Sequence, residues 1–199
     1  MERVLSIISK AENETGTEFE SPVREGLIKY FTYLLDYNKN VNLISRKSED
    51  EVLLNALIES CALYEVISCF DGDFLDVGSG GGLPGMIIAV MMSDVKITLL
   101  DATRKKAVFL QSAAKETGLK NVTVINSRLE ELPSSKKYDV IFSRGVGNFE
   151  NLRNHYLRVL QDTGSLVVLS GDDNRKFFKN DHVFENPYLP GRIIAVVEK

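Results

Sequence analysis

The residues of this chain best suited to chemistry begin in one glycine-rich stretch, Asp76-Val77-Gly78-Ser79-Gly80-Gly81-Gly82-Leu83-Pro84-Gly85. Glycines 78, 80 and 82 alternate with other positions, and an acid stands two residues ahead of the first. Glycine lets the backbone take φ > 0 and bring its N–H groups close to a ligand. The apolar run Phe74-Leu75-Asp76-Val77 leads in as a short buried strand, and Met86 to Met92 follows as a buried helix. Strand, glycine turn and helix form the layout of a nucleotide-cofactor site at the carboxyl edge of a parallel sheet. Asp101 ends the next strand, 23 residues after Gly78, where a carboxylate can accept ribose hydroxyls.

A dinucleotide fold asks for Gly-x-Gly-x-x-Gly, the third glycine allowing close helix–strand packing. That third position here is Leu83. The pattern present, Asp-x-Gly-x-Gly-x-Gly, better fits the S-adenosylmethionine (AdoMet) site of a Rossmann-like methyltransferase. AdoMet has a charged amino-acid tail and a sulfonium in place of a pyrophosphate, so open backbone groups and the nearby Asp76 suit it. Asp101 does not separate the two readings, since NAD enzymes use the same device. Two further segments reach this edge. The strand from Val122 to Asn126 runs into Ser127-Arg128-Leu129-Glu130, which lies at the adenine in the methyltransferase fold. The strand from Tyr138 to Phe142 runs into Ser143-Arg144-Gly145, placing an arginine where cofactor and substrate meet.

The elements that must hold these residues follow from periodicity. Strands are expected at 73–77, 95–100, 121–126, 138–143, 164–170 and 191–198, with helices at 84–92, 103–117 and 148–160 between the first five. Alternating strands and helices imply an α/β fold with a mainly parallel sheet. The last strand follows a loop with Pro187, Pro190 and Gly191 rather than a helix, so it should enter antiparallel. Ahead of residue 71 the pattern is helical. Val4, Leu5, Ile7 and Ile8 mark a weak amphipathic helix. Ser21-Pro22 starts a second, with Ser21 capping, and Leu27, Ile28, Phe31, Leu34 and Leu35 on one stripe. Ser48-Glu49-Asp50-Glu51 reads as a capping box opening a third. Residues 1–70 are thus expected to form a helical cap and 71–199 the cofactor-binding α/β domain, as one unit.

The 199 residues carry a net charge of −4, unevenly divided. Residues 1–100 hold 8 Lys and Arg against 16 Asp and Glu, and residues 101–199 hold 16 against 12, which hints at a positive face on the second half. Cys61 and Cys69 lie eight residues apart on one helix, roughly 12 Å by helical rise, too far for a disulfide and in keeping with a reducing cytoplasm. No stretch is long enough for a membrane span. His155 and His182 lack partners at ligand spacing, so no metal is expected.

The segments LDVGSGGGLPG (75–85), LLDATRKKAVFL (99–110), SRLEEL (127–132) and YDVIFSRGV (138–146), with YNKNVNLIS (37–45) ahead of them, resemble the RsmG (GidB) family of bacterial small-subunit rRNA guanine-N7 methyltransferases. The resemblance covers about residues 25–198, and the Leu83-Pro84-Gly85 step beside the loop is its most specific part. It implies that Gly78 and Leu83 contact AdoMet, that Leu129 and Glu130 flank the adenine, and that Arg144 stands at the cofactor–substrate edge as the catalytic-site arginine. Asp76, Gly80 and Asp101 join the cofactor set from the fold logic above. It also implies 16S rRNA or the small ribosomal subunit as partner, with a monomer favoured. The chain departs from the family pattern at Asn55-Ala56, at Ser170 and at Gly145, where the family has Arg-His, Lys and Ala.

Overall fold

The computed structural model describes residues 1–145 and 149–199, apart from the side chain of Glu198. Three helices, α1 (Glu2–Thr15), α2 (Ser21–Asn38) and α3 (Glu49–Ile67), precede β1 (Asp73–Val77), α4 (Gly85–Met91), β2 (Lys96–Leu100), α5 (Arg104–Thr117) and β3 (Val122–Ile125). Then come β4 (Tyr138–Arg144), α6 (Phe149–Val159), β5 (Leu160–Gly171), β6 (His182–Glu185) and β7 (Arg192–Glu198), with 3-10 turns at Leu129–Glu131 and Asp172–Phe178. The strands form one sheet in the order β3-β2-β1-β4-β5-β7-β6. The first five are parallel, and β7 runs antiparallel to both β5 and β6. This is the Rossmann-like arrangement expected, with its antiparallel last strand.

Period-two alternation splits the sheet residues between two cores. Phe74, Ile97, Leu99, Val140, Phe142, Val167 and Leu169 face α4, α5 and the three N-terminal helices, and share one continuous apolar cluster with them. Leu75, Val77, Ile141, Leu166 and Val168 face α6 and the Leu129–Glu131 turn. The apolar surface of the N-terminal helices is therefore buried in the same core as the sheet. In α2 the buried set is Leu27, Tyr30, Phe31, Leu34 and Asn38, so the stripe expected from apolar spacing carries two polar groups along its length.

Helix ends use different devices from those expected. Ser21 is the first residue of α2, with Glu20 at the cap position and no side-chain bond to the helix amides. Ser48 does precede α3, but its hydroxyl donates to Ser45 Oγ at 3.3 Å instead of serving the helix. No side-chain bond closes a box between Ser48 and Glu51, and Glu49 instead accepts from the Asn38 amide at 2.8 Å and Arg3 at 2.9 Å. At the end of α4, Asn121 Nδ2 donates to the carbonyls of Ala89, Met92 and Val95 at 3.0–3.1 Å. One side-chain amide thus ties the end of α4 to the chain entering β2.

The expected strand at 164–170 begins earlier, at Leu160, which pairs with Tyr138 before the register slips to Val140↔Ser165. The slack falls at Gly164, where a Cβ would stand 2.7 Å from the Asp139 carbonyl. β6 was not expected. It is four residues long, mostly exposed and at the sheet's edge, so no buried face marks it in the sequence. Asn148, the first residue of the expected helix 148–160, lies outside the described residues, as does Val146.

Candidate active site

The loop after β1 is built to lie flat over the strand ends. Gly78, Gly80 and Gly82 take φ of 76°, 59° and 87°. At Gly82 a Cβ would meet Met86 Cγ at 2.6 Å and Tyr30 Oη at 2.7 Å, so both the conformation and the space demand glycine. Tyr30, fully buried on α2, donates its hydroxyl to the Gly81 carbonyl at 2.5 Å. Leu43 and Ile44 pack on the same glycine. Asn38 folds that covering segment, its Oδ1 accepting the Leu43 and Ile44 amides at 2.8 and 3.1 Å. The helical extension thus clamps the loop from above.

Most loop amides are satisfied inside the protein. The Gly78 and Ser79 amides donate to the Leu100 carbonyl at 2.8 and 3.1 Å, and those of Gly82 and Leu83 to the Ser79 carbonyl at 2.7 and 3.3 Å. The Gly80 amide donates to Asp101 Oδ2 at 2.9 Å. A pyrophosphate cradle needs such amides free and aimed at the ligand. This loop offers shape and openness instead, which fits a cofactor held by its base, ribose and amino-acid tail.

Beside Gly78 lies a cavity of about 170 Å³, lined by Val77, Gly78, Leu100, Ala102 and the segment Ser127 to Glu130. Complete ligand pockets run roughly 300–1,000 Å³, so this hollow is sized for one part of a ligand and opens beside the glycine loop. Leu129 is buried at its wall, and Glu130 is exposed at its rim. Arg158, on α6, donates through Nη2 to the Leu129 and Glu130 carbonyls at 3.1 Å each and fixes that wall.

The expected site residues are not all placed alike. Gly78, Leu129 and Glu130 meet at the cavity. Asp101 is buried beside it, its Oδ1 accepting the Thr103 amide at 2.7 Å and its Oδ2 the Gly80 amide, so each oxygen keeps a lone pair for a hydroxyl. Leu83 turns its side chain into the apolar core on the helical side. Asp76 is 1% exposed and lies under the loop, where a Cβ on Gly85 would stand 2.2 Å from its Oδ2. Neither of its carboxylate oxygens has a hydrogen-bond partner among the described residues. Burial pushes its carboxyl up to about 7; Ser79 and the Gly85 amide pull the other way, the negative charge of Asp101 adds to the rise, and Arg144 opposes it.

Arg144 closes the edge at the end of β4, one residue past the Val77↔Ser143 pair. Its Nε donates to Glu59, a buried carboxylate on α3 that also forms an ion pair with Arg192, Nε to Oε1 3.2 Å. The field of Arg144 reaches Asp76 and Tyr30. Sequence reasoning passed over Glu59, Arg192, Arg158, Tyr30 and Asn38 as site residues. For Glu59 a signal exists, because it is the sole charge in the apolar stretch 52–63. Among the described residues no cluster of three or more metal-ligating side chains occurs. No helix there is long and apolar enough to cross a membrane.

The profile of the family described as rRNA small subunit methyltransferase G matches residues 24–183. The chain belongs to that family. Relatives carrying the name Ribosomal RNA small subunit methyltransferase G include one from Pseudomonas putida KT2440, 35% identical over 79% of this chain and 73% of its own length. Another, from Neisseria meningitidis serogroup B, is 36% identical over 78% and 74%. Among solved structures, precorrin-6y C5,15-methyltransferase from Geobacter metallireducens superposes with a TM-score of 0.53 at 16% identity, over 70% of this chain and 87% of that one. A fibrillarin/Nop5p complex gives 0.55 at 15%, over 72% and 82%. At such identities the structures speak for the fold, while the family rests on the sequence matches.

Proposed function

We propose that the protein transfers a methyl group from AdoMet to N7 of a guanine in 16S rRNA, acting on the small ribosomal subunit in the cytoplasm. The observation that carries the cofactor half is the glycine loop with its amides spent internally, beside a base-sized cavity at Gly78, Leu129 and Glu130. Family membership carries the substrate half. In this reading Gly78, Leu129 and Glu130 hold the adenine end. Asp101 accepts ribose hydroxyls, Gly80 leaves room above the loop, and Asp76 lies buried beneath the amino-acid tail. Leu83 shapes the loop from below.

When bound, AdoMet supplies an electrophilic methyl group, which the N7 lone pair takes as the carbon–sulfur bond breaks and a neutral thioether leaves. Guanine N7 has no proton to lose, so the protein needs no general base. What it must supply is alignment and charge complementarity. Arg144 stands where the target base and its phosphates enter, and its guanidinium presents hydrogen-bond donors there.

Calorimetry with AdoMet and with NAD tests the cofactor, and methyl transfer to small subunits from cells lacking the modification tests the substrate. AdoMet binding together with transfer is expected. No AdoMet binding at millimolar concentration refutes the proposal outright. A second reading, a methyltransferase acting on a different RNA or a small molecule, draws on Ala56, which is fully buried, and on Ser170, whose hydroxyl is taken up by Asn174 Nδ2 at 2.9 Å. Neither position offers a charge to a substrate. AdoMet binding without transfer to small subunits favours that second reading.

A further inference from the structure

Glu59 sits on α3 with its side chain 2% exposed, and its two carboxylate oxygens are divided between two arginines. Oε2 accepts a hydrogen bond from Arg144 Nε, and Oε1 forms an ion pair with Arg192, whose Nε stands 3.2 Å away. A buried carboxylate is neutralised by one cation, and one arginine can satisfy it bidentately. Here it has two, and each is engaged through Nε. The unit therefore keeps a net positive charge. That charge lies toward the outer ends of the guanidiniums, on side chains 24% and 42% exposed.

The topology brings these arginines to the cofactor edge from two directions. Arg144 ends β4, and β4 pairs with β1, the strand that runs into the glycine loop. Arg192 opens β7, and the antiparallel pair Gly171↔Arg192 sets it at the carboxyl end of β5. A strand entering parallel would have started at the opposite edge. Fastening α3 to the sheet needs one ion pair. The second arginine, with its outward charge, suits an anionic ligand larger than the cofactor.

We infer that Glu59 is a positioning residue: it holds Arg144 and Arg192 together as one cationic wall on which a backbone phosphate of the RNA substrate seats beside the target base. This rests on the RNA-methylating reading given above.

The test is steady-state methyl transfer to small subunits lacking the modification, for the wild type, Glu59→Gln, Glu59→Asp and Arg192→Gln. Each is paired with AdoMet affinity by calorimetry and a thermal melt. Misplacing an aligning group by about 1 Å costs on the order of 100-fold, so Glu59→Gln should lower kcat/KM by about that factor with AdoMet affinity held within about twofold. Glu59→Asp should recover about a tenth of the lost rate or more, because the charge is kept and only reach is lost. Arg192→Gln leaves Glu59 matched one-to-one with Arg144. It should raise KM for the subunit and reduce the salt slope of binding by about one, with folding retained. A folded Glu59→Gln with wild-type kcat/KM overturns the inference. So does Arg192→Gln with unchanged KM and salt slope, and that arm decides the matter if Glu59→Gln does not fold. Wild-type protein that binds AdoMet yet transfers nothing to subunits overturns the functional reading and this inference with it. Active wild type with unaffected variants overturns this inference alone.

Discussion

Asp101 Oδ2 accepts the Gly80 amide at 2.9 Å, so the end of β2 holds the centre of the loop that follows β1. The other oxygen receives the Thr103 amide at 2.7 Å, at the start of α5. One carboxylate therefore ties together the loop, the sheet edge and the helix beyond. Removing it leaves two buried or half-buried amides without partners, at about 1–3 kcal/mol each. Asp101→Ala is expected to weaken AdoMet binding by about 10- to 100-fold, and Asp101→Asn, which keeps one oxygen, by less. Calorimetry on the two variants checks the order.

Arg144→Ala should reduce methyl transfer far more than it weakens AdoMet binding, because the proposed function gives Arg144 the substrate side of the edge while the cavity wall is made by other residues. Loss of the guanidinium leaves the buried Glu59 still paired with Arg192, so the cost to stability should fall short of the about 3–5 kcal/mol of a buried pair broken outright. Transfer kinetics and calorimetry on one preparation separate the two effects. Equal loss of both would assign Arg144 to cofactor anchoring.

The buried, partnerless Asp76 sets a pH dependence of stability. Its carboxyl is held up to about 7 in the folded protein against 3.8 when unfolded. Between these values the folded state binds a proton that the unfolded chain has released, so stability falls as pH rises from about 4 to about 7 and is level above that. The full shift corresponds to about 4 kcal/mol. Asp76→Asn is neutral throughout and should flatten this part of the profile, melting higher than the wild type at pH 8. Thermal melts from pH 4 to 8 read the difference. A wild-type slope of opposite sign in this window would remove the account.

Gly82→Ala should destabilise the fold by about 2–4 kcal/mol, since a φ of 87° is costly for an L side chain and the new Cβ meets both Met86 and Tyr30 inside 3 Å. Gly171→Ala, with nothing within 4 Å of the added methyl, is expected to change stability by less than about 0.5 kcal/mol. Urea denaturation of the pair distinguishes a crowded clamp from a general intolerance of the sheet.

Arg158→Leu removes the donor that holds the Leu129 and Glu130 carbonyls at 3.1 Å while keeping much of the side-chain volume. AdoMet affinity should fall about tenfold through the loosened cavity wall, equivalent to about 1.4 kcal/mol. Arg144 and Glu59 lie across the sheet and should be untouched, so kcat at saturating AdoMet should stay near the wild-type value. Isothermal titration with single-turnover rates at high cofactor checks both halves.

The sheet and its glycine loop were legible because short apolar runs bounded by glycine and proline have few other solutions. The loop's orientation was less so. Asp76 is expected at a ligand from its place ahead of the glycines, and Leu83 from the family resemblance, yet alternation along β1 puts Asp76 on the Phe74 face, under the loop, and Leu83 joins the same core. Facing is a property of the strand's register, which a motif does not carry. Arg158 and Tyr30 were invisible for another reason. Each acts on a backbone carbonyl far away in sequence, 28 residues from Glu130 in one case and 51 from Gly81 in the other. A carbonyl partner leaves no mark on residue type. β6 left no mark because an exposed four-residue edge buries no face of its own.

The position of β7 between β5 and β6 has a consequence for the order of assembly. β6 precedes β7 in the chain but reaches the sheet only through it, so β6 has nowhere to pair until residues beyond 192 arrive. The cofactor end is otherwise complete once the segment through Glu131 and its brace, Arg158, are in place. Arg192 comes to the edge only with that late strand. A partly made or unzipped molecule would therefore hold a nucleoside before it could grip a polynucleotide, and the docking of one strand would act as the final licence for the substrate.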